Sequence, residues 1–147
     1  MNKLILLLPI LFTCFGITSQ QNPVTWKIEY HKDNSLIKYK TSIEYGWHLY
    51  AANLPSPDEG PLPTEFNYND SDKFKLSGAV FESKSIEEFD ENFGVDVRYF
   101  ENSAEFSQKI ELTSSEPFPI TGTIYYMVCN DQMCIPFEDP FEVMISP

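Results

Sequence analysis

Polar and apolar residues alternate along most of this chain, and that alternation limits what it can fold into. In TWKIEYHK (25–32), Trp26, Ile28 and Tyr30 fall on one face and Lys27, Glu29 and His31 on the other. LIKYKTSIEY (36–45) repeats the period with Ile37, Tyr39, Thr41, Ile43 and Tyr45. A period of two belongs to a strand with one face buried and the other wet. TEFNY (64–68), KFKLSGAVFE (73–82), VDVRYF (95–100), AEFSQKIEL (104–112), GTIYYMVC (122–129) and FEVMIS (141–146) are further strand candidates. Turn chemistry separates them: Asp33-Asn34, the proline-rich stretch from Leu54 to Pro63, Asn69 to Asp72, Glu101-Asn102 and Glu116-Pro117. No window of a dozen residues keeps a helical period. The nearest, SIEEFDENF (85–93), is short and acidic and reads as a loop or a single turn. Roughly seven to nine short strands at this spacing predict an all-β domain, two antiparallel sheets packed as an immunoglobulin-like β-sandwich.

The chain opens MNKLILLLPILFTCFGITSQ, one lysine followed by a leucine-rich run, which is the pattern of a secretory signal peptide. Cleavage is expected after Ser19 or Gln20, leaving one domain over residues 20–147. Cys14 would leave with the leader; Phe12 and Thr13 before it lack the small side chains of a lipoprotein acylation site. A secreted protein follows, with no direct membrane insertion. Without Lys3 the basic residues fall from 10 to 9 against 22 acidic ones, a net charge of −13. That balance argues against a nucleic-acid-binding face and against adsorption to anionic lipid. Asn69-Asp70-Ser71 matches a glycosylation acceptor, a pattern common by chance.

Two cysteines remain, in YYMVCNDQMCIPF (125–137), entering a compartment where a pair can persist as a disulfide. They could be a staple, half of a metal site, or a thiol couple. Cys129 ends one strand and Cys134 opens the next extended segment, so a hairpin with a four-residue loop would set them opposite each other. Opposed antiparallel residues have Cα atoms about 4.5 to 5.5 Å apart, within reach of a disulfide. As a staple the bond would be poorly placed: closing about six residues contributes roughly 2 kcal/mol and joins neighbours the hairpin already holds. Zinc needs four ligands and this spacing supplies two, while His31 and His48 lie on separate strands, so no metal or cofactor is expected. The pair is also unlike a C-x-x-C at a helix N-terminus, because Pro136 and Pro140 forbid a regular helix after it. With Asp131 in the loop neither thiol is expected to be acidic by itself. Reactivity would then come from a partner's thiolate or from a local proton acceptor such as His48. No nucleophilic serine motif, glycine-rich phosphate loop or paired carboxylates accompany it.

Several stretches together resemble a known family, the N-terminal periplasmic domain of the thiol:disulfide interchange protein DsbD. They are GWHLY (46–50), GPLPTEF (60–66), FGVDVRYFENSAEFSQKI (93–110) and GTIYYMVCNDQMCIPF (122–137), spanning nearly all of the chain after the leader. The resemblance implies an immunoglobulin-like domain whose cysteine couple relays reducing equivalents from a thioredoxin-like donor, fed by a membrane-embedded hub, to oxidised periplasmic clients. Cys134 matches the sulfur that forms the mixed disulfide, and Cys129 the one that resolves it. A cap loop over the disulfide would fall on Asp90, Glu91, Asn92, Phe93 and Gly94, with Phe93 as the lid and Gly94 a hinge.

Tyr50, His48, Asp131 and Pro136 would line the site under the same resemblance. The chain departs from the family at His48, where a tyrosine is common, and at Phe137, where a second proline is common. A histidine there could exchange a proton near pH 7, though an ordinary surface histidine is the plainer reading. The sequence ends at Pro147 without a hub or thioredoxin-like domain, so the donor is expected on a separate chain, with the hub on a separate chain or reached indirectly, unless the chain is a divergent relative with another job. The alternative function is a non-catalytic binding module with a structural hairpin disulfide.

Overall fold

The computed structural model describes residues 21–147. The leader, with Cys14 and the cleavage position, lies outside the described residues. Among the described residues no helix is long and apolar enough to cross a membrane. Among the described residues ten strands form two antiparallel sheets, one more than the upper end of the expected range. The first sheet has the order β1-β2-β8-β5, built from Val24–His31, Leu36–Ile43, Ser103–Leu112 and Phe74–Glu82. The second has the order β10-β9-β3-β7-β6, from Cys134–Ile145, Phe118–Cys129, His48–Tyr50, Val95–Glu101 and Ile86–Asp90. Strand β4, Glu65–Tyr68, also pairs with β9.

The alternation read from the sequence is what packs the sheets. Ile37, Tyr39, Phe106 and Ile110 from the first sheet meet Leu49, Ile124, Val128 and Ile145 from the second, all of them buried. Full burial of each such side chain is worth about 1.5 to 3 kcal/mol. Gly122 is required where β4 pairs with β9, because a Cβ there would stand 2.2 Å from the Asn67 carbonyl and 2.7 Å from the Phe141 ring.

Two strands escape the sequence reading. Residues 86–90, expected as loop or turn, form β6, paired with β7 from Ile86↔Tyr99 to Asp90↔Val95. Ile86, Glu87, Glu88 and Phe89 are all exposed, so this edge strand shows no alternation to detect. Its ladder is supported by Glu87, 2.7 Å from Arg98, and Glu88, which accepts from the Tyr99 hydroxyl at 2.9 Å. Strand β3 has only three residues, too few to express a period, and is held between β7 and β9. Strand β10 runs through Pro136 and Pro140, which it tolerates because it lies at a sheet edge, where a missing N–H can face away from the ladder.

Candidate functional site

The β9–β10 hairpin closes over Asn130. Its side-chain oxygen accepts from the backbone N–H of Gln132 and of Met133, both at 2.9 Å, and its own N–H donates to the Met133 carbonyl. This tight loop sets Cys129 directly opposite Cys134, and the two are joined as a disulfide with Cα atoms 4.1 Å apart, closer than the spacing expected from the ladder alone.

Which face carries the bond follows from the period of two. On β9 the side chains of Ile124, Tyr126 and Val128 enter the core between the sheets, so Tyr125, Met127 and Cys129 project from the opposite face. Cys129 is nevertheless only 2 % exposed. A second, smaller cluster on that outer face covers it: Tyr50, Val97 and Tyr99, with Leu54, Phe93, Val95 and Met127 packed around them. Cys134, at the start of the edge strand, is exposed. The two sulfurs of one bond therefore differ sharply in access.

The expected cap loop is the turn between β6 and β7. Asp90 Oδ1 accepts from the backbone N–H of Asn92 at 2.8 Å and of Phe93 at 3.2 Å, while the Gly94 N–H donates to the Asp90 carbonyl at 2.7 Å. Gly94 closes the turn with φ of 72°, a left-handed conformation that a residue with a Cβ adopts at a cost. Phe93 is half-buried and stands edge-on to Tyr50, ring centroids 6.2 Å apart. Glu91 and Asn92 are exposed. A cleft of about 220 Å³ separates this turn from the disulfide hairpin, lined by Asn92, Phe93, Cys134 and residues 130–133, Asp131 among them.

His48 pairs in register with Cys129 on one side and Glu101 on the other. It is half-buried rather than a free surface side chain, with its ring 4.8 Å from that of Tyr99 and its Nε2 3.2 Å from the Tyr50 hydroxyl. Burial holds its pKa below the ordinary histidine value, outweighing the opposite pull of Asp90, Glu101, Glu88 and Asp131. The Tyr50 hydroxyl donates to Asp90 Oδ2 at 3.3 Å. Its pKa is raised by burial and by Asp90. Pro136 faces a different hollow, of about 370 Å³, shared with Leu62, Pro63, Tyr125 and Phe137.

The structure thus gathers Cys129, Cys134, His48, Tyr50, Asp131 and the Asp90–Gly94 turn at one end of the outer face, and leaves Pro136 beside it. Sequence reasoning missed Tyr99, whose hydroxyl is pushed up to about 12 by burial and Glu88, although its alternation with Val95 and Val97 marks the same face. It also missed Thr64. This buried residue donates from Oγ1 to the Tyr50 carbonyl at 2.6 Å and from its N–H to the Ala51 carbonyl, fastening the proline-rich segment to β3. Nothing local distinguishes it from any other threonine after a proline.

These features define a two-sheet immunoglobulin-like sandwich that carries a hairpin-tip disulfide on its outer face, with Cys129 buried and Cys134 exposed beside a neighbouring turn. The chain belongs to the family described as thiol:disulfide interchange protein DsbD, N-terminal, which matches residues 18–145. Among solved structures it is similar to the Neisseria meningitidis DsbD N-terminal domain in the reduced form, at 16% identity and a TM-score of 0.63, covering 85% of this chain and 87% of that one. It is also similar to a structure of the complex between the DsbD N-terminal and PilB N-terminal domains from the same organism, at 16% identity and a TM-score of 0.57, covering 81% and 80%. The N-terminal periplasmic domain of ScsB from Proteus mirabilis matches at 13% identity and a TM-score of 0.54, over 81% of this chain and 44% of that one. At these identities the likeness is one of fold. A comparison with curated protein sequences finds no match.

Proposed function

We propose that this domain works in the periplasm as a thiol-disulfide relay, taking reducing equivalents from a thioredoxin-like donor and passing them to oxidised envelope proteins through Cys129 and Cys134. The observation that carries the reading is the unequal access of the two sulfurs: Cys134 exposed, Cys129 buried in the outer-face cluster. In the reductive half, a donor thiolate attacks Cys134 Sγ, a donor–Cys134 disulfide forms, and Cys129 departs as a thiolate that takes up a proton. The donor's second thiol, once deprotonated, attacks its own sulfur in that bond; the donor leaves oxidised and Cys134 is left reduced. In the oxidative half, the Cys134 thiolate attacks a client disulfide, and Cys129 attacks Cys134 Sγ, restoring the internal bond and releasing the client reduced.

Phe93 is the cover in this scheme. Its ring belongs to the cluster that buries Cys129, and its turn borders the cleft that opens on Cys134. An apolar ring there keeps stray thiols away and leaves access to a partner that can displace the turn. The complex of the Neisseria DsbD N-terminal domain with the PilB N-terminal domain supports a protein partner for this domain.

Replacing Cys129 with Ala in the native envelope tests the scheme, because it leaves Cys134 able to form a mixed disulfide but no neighbour to resolve it. Reductant-sensitive adducts of a thioredoxin-like protein and of clients are expected, and Cys134→Ala should give none. Absence of adducts with Cys129→Ala, together with a reduction potential far below about −300 mV, would leave only a binding module with a structural disulfide.

A further inference from the structure

The turn that carries Phe93 is tied to β3 by a hydrogen-bond chain whose far end is His48. Asp90 uses its two carboxylate oxygens differently: Oδ1 receives the N–H groups of Asn92 and Phe93 that shape the turn, and Oδ2 receives the Tyr50 hydroxyl. Tyr50 has one hydroxyl proton, and it is committed to Asp90. The contact of 3.2 Å between that hydroxyl oxygen and His48 Nε2 is then a hydrogen bond only if Nε2 carries the hydrogen. The opposite arrangement, Tyr50 donating to a bare Nε2, would strip Asp90 of its partner on β3 and leave the turn held by its own backbone.

We infer that His48 is a positioning residue for the cover: as the Nε2–H tautomer it donates to Tyr50, keeps the hydroxyl aimed at Asp90, and so latches the Phe93 turn to the strand that pairs with Cys129. Chain geometry makes the coupling short. His48 and Tyr50 lie two apart on β3 and share its outer face, His48 is the register partner of Cys129, and Asp90 is the last residue of β6 before the turn. The ring is fixed by Tyr99 at 4.8 Å and Tyr50 at 5.2 Å, which leaves its Nε2 few alternatives. The acidic groups around it, Glu101 on β7, Glu88 and Asp90 on β6 and Asp131 in the hairpin loop, accept hydrogen bonds only, so none of them competes to donate to Tyr50.

The inference rests on Phe93 acting as a cover, and the experiment separates the two. The oxidised chain is treated with 2-mercaptoethanol at neutral pH and the second-order rate of disulfide reduction is measured for the wild type, Phe93→Ala, His48→Phe, His48→Gln and the double variant His48→Phe/Phe93→Ala. Phe93→Ala should react faster; an unchanged rate removes the cover itself. His48→Phe should accelerate reduction about threefold to tenfold, the scale of one hydrogen bond, while His48→Gln, whose amide N–H can still donate to Tyr50, should stay near wild type. In the Phe93→Ala background His48→Phe should add nothing, because there is no cover left to hold. If Phe93→Ala is fast but His48→Phe matches wild type, or accelerates equally with and without Phe93, the latch is wrong while the cover stands. Nitrogen-15 spectra of the wild-type imidazole give a readout that needs no variant: a proton on Nε2 is expected, and a proton on Nδ1 alone would overturn the assignment even if His48→Phe failed to fold.

Discussion

Reducing the Cys129–Cys134 bond should lower stability by about 2 kcal/mol and leave the sandwich folded. The bond spans a sequence separation of 5, so it closes a loop of six residues. The chain-entropy relation for a loop that short gives about 7 cal/mol/K, or roughly 2 kcal/mol at 25 °C. Twelve register pairs from Cys134↔Cys129 to Ile145↔Phe118 already hold the same two strands together. Neither sulfur belongs to the core between the sheets, since the cluster around Cys129 lies on the outer face. For a domain of this size such a loss corresponds to a fall of roughly 6 to 12 °C in the melting midpoint, against a total stability on the order of 5 to 15 kcal/mol. Urea unfolding of the oxidised chain and of Cys129→Ala/Cys134→Ala, followed by tryptophan fluorescence, measures the difference. A loss above about 5 kcal/mol, or a double variant without a cooperative transition, would refute the reasoning and make the disulfide a structural element.

The other expectations concern the surroundings of the bond. Gly122→Ala should destabilise the domain by at least about 2 kcal/mol in the same assay, because its Cβ meets the Asn67 backbone, which cannot move without opening β4 from β9. Thr64→Val should cost about 1 to 3 kcal/mol, since it keeps the volume but leaves the buried Tyr50 carbonyl without its hydroxyl donor. The His48 pKa is lower folded than unfolded, so the folded state binds fewer protons and stability falls as pH drops below about 6.5. His48→Gln should flatten that part of the acid side of a stability-versus-pH curve, and an identical curve would show that burial of this ring is not felt.

What could be read without coordinates was what depends on periodicity and local chemistry. Strands with one buried face announce themselves at Ile37, Tyr39, Ile43, Phe106 and Ile124, and the cysteine spacing pointed to a hairpin, with Pro136 and Pro140 ruling out a regular helix after it. Strand β6 was illegible because Ile86 and Phe89 face solvent as much as Glu87 and Glu88 do, and β3 because three residues carry no period. For the site, the sequence marked the cysteines and the resemblance marked the Asp90–Gly94 turn. Neither indicated that Thr64 braces Tyr50, nor that Tyr99 lines the same cluster.

The residues alone determined that this is an antiparallel β domain with two cysteines at a hairpin tip, because strand period, turn residues and sequence spacing are local properties. Only the tertiary structure decided which face of the sheet those cysteines occupy, that one is buried and the other open, and that a turn some 35 residues upstream lies against them. Those outcomes depend on how β3, β7 and β9 come together in one sheet. Contacts between segments so distant along the chain are set by the packing of the whole domain, which no single stretch encodes.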